Sequence, residues 1–134
     1  MPGKANQSKS STVVDLTIDT GIVTKILTGF INDCFVKTKS KKAVIGLSGG
    51  LDSSIVASLA ARSIGAQKVL GVILPYKLSA DESRKDAETI AHQLGIQIEI
   101  IEVTPMVDAY LTKCSIGDNE RIANVIARQR MIVL

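Results

Sequence analysis

The sequence predicts an α/β fold of the Rossmann-like type, in which a parallel sheet carries helices on both faces. Three observations lead to this prediction. Short apolar segments alternate with longer segments of helical periodicity along most of the chain. The first two short segments lack charged side chains, which is typical of parallel strands covered on both faces. A Gly-Gly turn joins the first of them directly to a helix, and strand-helix-strand order favours right-handed crossovers.

The composition is that of a single folded domain. The chain has 134 residues, of which 46% are hydrophobic and 22% are charged, so it is long enough for one core and too apolar to be disordered. We interpret residues 1–14 as a flexible arm and residues 15–134 as the domain. No apolar run approaches the roughly 20 residues of a membrane helix, and the polar N terminus does not resemble a secretory signal. We therefore expect a cytoplasmic protein without a membrane partner.

The positions of the cysteines and lysines indicate the redox compartment and the classes of partner that we expect. Cys34 and Cys114 lie far apart without metal-type spacing, which fits free thiols in a reducing compartment. Four lysines between residues 37 and 42 contribute much of the net charge of +3, and we favour a solvated loop for this run over a polyanion site. Only 3% of the residues are aromatic, so stacking platforms for nucleic acid are missing and we expect no nucleic-acid partner.

The first half of the chain is predicted to contain a helix, a strand, a turn and a second helix. Apolar residues recur at helical spacing over residues 18–35, which predicts an amphipathic helix. Residues 43–47 are wholly apolar and predict a strand buried on both faces. Residues 53–63 carry an apolar stripe that includes Val56 and Ala60, and Gly65 provides a natural helix end.

The second half continues the alternation. Residues 69–74 predict another buried strand, and a capping box at residues 79–82 opens a helix that runs to Gly95. Residues 97–103 alternate between apolar and polar, which predicts a strand at the sheet edge with one buried face. Two further helices are expected, at residues 106–113 and after Asp118, which is a good N-cap.

The run Ser48-Gly49-Gly50-Leu51-Asp52-Ser53 has the features of a phosphate-binding turn. It lies between a strand and a helix N terminus, where backbone amides lack partners and the helix dipole is positive. Two glycines let the main chain approach a pyrophosphate, and the two serines add hydroxyl donors. A carboxylate at position 52 is compatible with phosphates if Mg²⁺ lies between them. The residues expected to bind the phosphates are Gly46, Leu47, Ser48, Gly49, Gly50, Leu51, Asp52 and Ser53.

This turn is neither a P-loop nor a dinucleotide fingerprint, because it lacks the Gly-Lys-Ser/Thr ending and the third glycine. It resembles the pyrophosphate loop, or PP-loop, of the N-type ATP pyrophosphatases. The resemblance implies cleavage of ATP between its α- and β-phosphates, with adenylation of a carboxylate or base carbonyl before a nucleophile displaces AMP.

Three further stretches resemble ammonia-dependent NAD synthetases within that group. They are Leu74-Pro75-Tyr76, Ala80-Asp81-Glu82 and residues 124–134, which read NVIARQRMIVL. The resemblance implies amidation of deamido-NAD with ammonia, at the expense of ATP and with Mg²⁺, by a homodimer. Two alternatives remain: another adenylating amidotransferase such as GMP synthetase, and a non-catalytic ATP-binding module.

The same resemblance assigns roles to individual residues. It implies catalytic roles for Asp52 and Ser48, with Asp52 also the Mg²⁺ ligand, and it places Arg128 on deamido-NAD. A guanidinium is suited to this task because it holds a carboxylate or pyrophosphate in a bidentate fork. We expect a structural role for Arg130, which would face elsewhere on the helix.

The resemblance also implies that this is a truncated ATP-pyrophosphatase domain, with three strands present out of about five. In a sheet of this topology the ligand crevice lies beside the first strand. Without a further strand next to it, the first strand presents an open apolar edge. We expect this chain alone not to complete amide formation.

Overall fold

The computed structural model describes residues 17–77 and 81–134 and confirms the α/β prediction. The predicted flexible arm, and residues 79 and 80 of the predicted capping box, lie outside the described residues. In chain order, the elements are α1 (Thr20–Lys37), β1 (Ala43–Gly46), α2 (Leu51–Ile64), a 3₁₀ turn (Ala66–Lys68), β2 (Val69–Ile73), α3 (Asp81–Leu94), β3 (Gln97–Ile100), α4 (Thr104–Cys114) and α5 (Asn119–Val133).

The described strands form a parallel sheet in the order β1-β2-β3. Ala43 is paired with Val69 and Gly71 with Ile98, so the carboxyl ends of β1 and β2 lie side by side. The central strand is β2, whose side chains alternate between two faces. This arrangement places two hydrophobic cores on opposite sides of the same strand.

One core lies between the sheet and the helices α2 and α3. Small side chains at Ala57, Ala60, Ala87 and Ala91 allow these helices to approach the strands closely. The predicted stripe of α2 is partly wrong, because Val56 is exposed and its neighbour Ala57 is buried instead. The buried members are Leu47, Ala57, Ala60, Ile64, Val69, Ile73, Ala87, Ala91 and Ile96.

The second core lies on the other face, where α4 and α5 pack against β2. Val103 and Val107 at the start of α4 are fully buried, and Val125, Ile126 and Val133 of α5 pack against the same cluster. Helices therefore cover both faces of the sheet, as predicted. The buried members are Val72, Leu74, Tyr76, Val103 and Val107.

β1 is less buried than its apolar sequence predicts. Ala43 and Ile45 pack against the α2 core, but Val44 on the opposite face is 50% exposed. The reason is that β1 is an edge strand of the described sheet, while the second core is built around β2. The open apolar edge expected at this strand is therefore present.

β3 is the other edge, as predicted, but its predicted buried face is wrong. Ile98 and Ile100 are both exposed, because the cores are centred on β2 and not on its outer neighbour. The strand ends earlier than the predicted residues 97–103. The chain still follows β2 beyond that point, since the Val103 amide donates to the Pro75 carbonyl at 3.0 Å before α4 begins.

Side-chain caps fix the ends of two helices. The Asp19 carboxylate accepts a hydrogen bond from the Ile22 amide at 3.0 Å and begins α1. Asp118 accepts one from the Arg121 amide at 2.9 Å, which confirms its predicted capping role at α5. α4 begins earlier than predicted, because a proline at position 105 is tolerated in the first helical turn.

α1 has apolar residues on more than one face. Ile31 and Phe35 pack against the α2 core, whereas Ile22, Ile26 and Phe30 are 56%, 64% and 65% exposed. The predicted helix is confirmed, and it leaves an uncovered apolar face among the described residues. None of the described helices combines the length and apolarity needed to span a membrane.

Gly71 provides a test of the central strand. A Cβ added there would lie 2.5 Å from Leu47 Cδ1 and 3.4 Å from Ile96 Cδ1, in the packed α2 core. We expect Gly71→Ala to lower the free energy of unfolding by about 1–3 kcal/mol, because overpacking forces neighbouring side chains from their rotamers. Urea denaturation of both proteins measures the difference.

The matched control is Gly29→Ala in the interior of α1, where an added Cβ meets no atom within 4 Å. This change should raise the free energy of unfolding by about 0.4–1 kcal/mol, because alanine restricts the unfolded chain. A Gly71→Ala protein as stable as the unmodified chain would contradict the close packing of β2.

Candidate functional site

A crevice opens at the carboxyl ends of β1 and β2. Its volume is about 660 Å³, within the range of pockets that hold nucleotide-sized ligands. The end of β1, the segment after β2 and the first turn of α3 form its walls, and Arg130 and Leu134 of α5 close one side. This position agrees with the rule that open α/β sheets bind ligands beyond the carboxyl ends of their strands.

Ser48, in the glycine turn, borders the crevice. Leu51, Asp52 and Ser53 lie in the first turn of α2, and the first helical hydrogen bond runs from the Ser54 amide to the Gly50 carbonyl at 3.2 Å. The amides of Leu51, Asp52 and Ser53 therefore have no intrahelical acceptor and are available to an anion, whereas the Gly50 amide donates to Ser48 Oγ. Of the residues predicted to bind ATP, Gly46, Leu47 and Ser48 line the crevice, whereas those at positions 49–53 do not, and phosphate binding by the turn stays a prediction.

The serine hydroxyls hold the turn together. Ser53 Oγ donates to the Gly50 carbonyl at 3.0 Å and lies 3.0 Å from Ser48 Oγ, which in turn accepts from the Gly50 amide at 3.2 Å. Either hydroxyl can be the donor in the hydrogen bond between the two serines. The two hydroxyls therefore help to shape the turn, and a hydroxyl that donates within it must rotate before it can donate to a ligand.

Two features require glycine at position 49: its backbone conformation and the short distance to the backbone of α3. Its φ of +79° lies in the left-handed region, and a Cβ there would lie 2.3 Å from the Ser83 carbonyl oxygen of α3. The glycine turn thus packs directly against the first turn of α3. Any other residue at this position must displace backbone from the crevice wall.

Asp52 is exposed in the first turn of α2, where its charge suits the helix dipole. Among the described residues no group of three or more His, Cys, Asp or Glu side chains could hold a metal ion. One carboxylate still fits Mg²⁺, which is commonly held by one or two carboxylates together with substrate phosphates and water. This donor set suits an ion that arrives with a nucleotide.

The two arginines of α5 differ in position. Arg130 borders the crevice, and its Nε donates to the Leu74 carbonyl at 2.9 Å. Arg130 was expected to face elsewhere on the helix but borders the crevice, and its structural role stays a prediction. Arg128 is exposed and does not line the crevice, so its binding of deamido-NAD stays a prediction.

Several crevice residues were not predicted from the sequence. Lys77 and Arg84 line the crevice, and Arg84 also pairs with Glu88 at 2.9 Å one helical turn away. Behind the wall, Asp108 of α4 accepts hydrogen bonds from the Tyr76 hydroxyl at 2.9 Å and from Lys77 Nζ at 2.6 Å. The Lys77 hydrogen bond, followed by that from Tyr76, holds the pKa of Asp108 below its usual value. No local pattern links Asp108 to these partners, because they are about 30 positions away in the sequence.

Comparison with known proteins identifies relatives along most of the chain. The NAD synthase family profile matches residues 23–134. An NH₃-dependent NAD⁺ synthetase of Trichlorobacter lovleyi is 43% identical over 119 residues, which are 89% of this chain and 44% of the relative. A corresponding enzyme of Chlorobaculum parvum is 43% identical over 120 residues, or 90% and 43% of the two chains. The chain thus spans less than half the length of these relatives.

Solved structures agree with this result. The NH₃-dependent NAD synthetase of Campylobacter jejuni, in complex with nitrate, superposes with a TM-score of 0.82 at 29% identity, over 88% of this chain and 51% of that one. The NMN synthetase of Francisella tularensis gives a TM-score of 0.80 at 28% identity, over 88% and 49%. The family profile covers most of the sequence and the fold is shared, and the chain therefore belongs to the NAD synthase family.

Proposed function

We propose that the protein acts in the ATP-dependent amidation of deamido-NAD, with ammonia as the nitrogen donor and an adenylated carboxylate as the intermediate. The observation that carries the proposal is the glycine turn between β1 and α2 in a chain of the NAD synthase family. The name of its relatives, NH₃-dependent NAD⁺ synthetase, supports ammonia as the donor. The family match favours this reading over a GMP synthetase.

The polar and apolar parts of the crevice match the two parts of ATP, its phosphates and its base. The amides of the glycine turn and the N terminus of α2 provide an anion site for the β- and γ-phosphates. Leu74 and Pro75 provide an apolar wall for the base at the end of β2. The residues we propose for ATP remain those of positions 46–53, with Ser48 and Asp52 closest to the chemistry.

The proposed reaction depends mainly on positioning. The deamido-NAD carboxylate attacks the α-phosphorus and pyrophosphate leaves; ammonia then displaces AMP. The attacking carboxylate is already ionised at pH 7, so this step needs no general base. The turn amides would stabilise the charge that develops on the leaving phosphates. Mg²⁺, held by Asp52 and the phosphates, would supply further neutralisation of that charge.

Two candidates for the acceptor substrate follow from the relatives. We propose deamido-NAD, bound in part by Arg128. The second candidate is nicotinic acid mononucleotide, because an NMN synthetase is among the similar structures. Both contain a nicotinate carboxylate and a phosphate that a guanidinium can hold.

We also propose that the protein forms a homodimer and works in the cytoplasm. The exposed apolar face of α1, formed by Ile22, Ile26 and Phe30, supports self-association, because such faces are usually covered in stable proteins. The free thiols of Cys34 and Cys114 support a reducing compartment.

Gly49→Ala tests the phosphate turn. The new Cβ would meet the Ser83 carbonyl oxygen, so the turn must move, and we expect MgATP affinity to fall by about tenfold or more. Isothermal titration measures the change. The control is Gly95→Ala, which has a φ of +66° but no atom within 4 Å of the added Cβ. It should reduce stability by about 1–2 kcal/mol and leave MgATP affinity unchanged. Equal MgATP affinity in Gly49→Ala and the unmodified chain would argue against a phosphate site here.

Arg128→Ala tests the acceptor assignment. Deamido-NAD affinity should fall by about tenfold, because a charge-assisted contact is lost, while MgATP affinity should not change. Arg121→Ala, at another exposed arginine of α5, serves as the control and should bind both ligands normally.

The same titration distinguishes the acceptors. Nicotinic acid mononucleotide and xanthosine monophosphate are titrated beside deamido-NAD. Saturation by deamido-NAD and not by the mononucleotides supports the proposal, whereas saturation by nicotinic acid mononucleotide alone favours the second candidate. Binding of xanthosine monophosphate alone would contradict both and point to a GMP synthetase.

The oligomeric state can be tested at the apolar face of α1. We expect sedimentation velocity to give a two-chain species, and Phe30→Glu to convert it to a monomer because a charge would be buried in the contact. Asn32→Glu, an exposed position on another side of α1, should leave the dimer intact. A wild-type monomer at every concentration would be inconsistent with the proposed homodimer.

A further inference from the structure

The wall of the crevice after β2 is held from behind by α4. This wall consists of Leu74, Pro75, Tyr76 and Lys77, all of which line the crevice. Asp108 does not line it, yet its two carboxylate oxygens accept from two neighbouring wall residues, Tyr76 and Lys77, at 2.9 and 2.6 Å. One side chain therefore fixes two consecutive positions of the wall.

Backbone contacts complete this attachment. The Lys77 amide donates to Thr104 Oγ1 at 2.9 Å, and the Pro75 carbonyl accepts from the Val103 amide at 3.0 Å. Each contact comes from the start of α4 or the residue before it. The wall is a connecting segment without secondary structure of its own, so its position depends on these contacts, together with the Arg130 hydrogen bond to the Leu74 carbonyl and the burial of Leu74 and Tyr76.

The charges at Asp108 favour a persistent contact. The Asp108 carboxylate raises the pKa of Lys77 above its usual value through their hydrogen bond. The pKa of Tyr76 is also raised, first by burial and then by its hydrogen bond to Asp108. At neutral pH, Asp108 is therefore ionised and both partners are protonated, which is the state in which all hydrogen bonds are made.

The wall and Ser48 of the glycine turn border the same crevice, at the adjacent carboxyl ends of β2 and β1, and they differ in chemistry. Its Leu74 and Tyr76 side chains are among the buried members of the α4 core, while the turn offers serines and amides. If the phosphates of ATP occupy the turn, the nucleoside lies against the wall. A displaced wall would then weaken contacts to the nucleoside and leave contacts to the phosphates intact.

We propose that Asp108 is a positioning residue for the nucleoside part of ATP, acting through Tyr76 and Lys77 and not by touching the nucleotide. The inference rests on the proposed ATP site and adds to it a residue of α4, outside the crevice. According to this inference, the glycine turn determines the affinity for the polyphosphate, and the Asp108 contacts determine the affinity for the nucleoside.

The test compares two ligands that differ only in the nucleoside. MgATP and magnesium tripolyphosphate are titrated calorimetrically into the full chain and into Asp108→Asn. The variant should lose affinity for MgATP by about five- to tenfold and bind tripolyphosphate as the unmodified chain does. Asp86→Asn, which removes the same charge from an exposed position on α3, should change neither affinity.

Tyr76→Phe is the second variant and covers the case in which Asp108→Asn does not fold. It removes the hydroxyl that donates to Asp108 and keeps the buried ring. We expect a smaller selective loss, of about two- to fivefold for MgATP. Circular dichroism of each variant checks that the helices are intact.

Each outcome decides the matter. Equal losses of affinity for MgATP and tripolyphosphate in the folded variants would mean that Asp108 only stabilises the fold. Unchanged affinities would mean that the position of the wall does not depend on Asp108. Either result overturns the inference and leaves the proposed ATP site unaffected. An unmodified chain that binds neither ligand would overturn the proposed ATP site, and the inference with it.

Discussion

The fold and the crevice depend on one strand, β2, being buried on both faces. Its residues alternate between the α2 core and the α4 core, and both neighbouring strands pair with it. Gly71 lets Leu47 pack across the strand, which brings the end of β1 close to the end of β2. Because β2 is fixed in this way, the glycine turn after β1 and the wall after β2 begin at neighbouring strand ends and border the same crevice. Strand packing therefore creates the crevice, and the loops provide the polar groups that line it.

The local parts of this structure could be predicted from the sequence. The turn between β1 and α2 follows from two glycines between an apolar segment and a helical one, and the cap at Asp118 follows from residue type and spacing. The three strands were found because a continuous apolar segment or a polar-apolar alternation marks each of them. Such features are set by interactions within a few residues of the chain.

The remaining features depend on distant neighbours. Val44 has the same apolar character as Val72, yet one is half exposed and the other buried, because only β2 has strands on both sides. Asp108 gives no local signal, since its partners Tyr76 and Lys77 lie in another element. Gly49 was expected to favour close approach of phosphate, and the structure adds its contact with Ser83. Residue spacing predicts which segments form elements, whereas exposure and side-chain partners follow from how those elements are arranged.

The serine hydrogen bonds of the glycine turn have a consequence for the thermodynamics of ligand association. The hydroxyls of Ser48 and Ser53 bond to each other and to the Gly50 backbone, and these internal contacts hold the curvature of the loop. Little conformational entropy is then lost when a phosphate enters, because binding does not have to order the backbone. A ligand must instead compete for hydroxyls that are already satisfied, so exchange of one hydrogen bond for another costs little enthalpy in either direction.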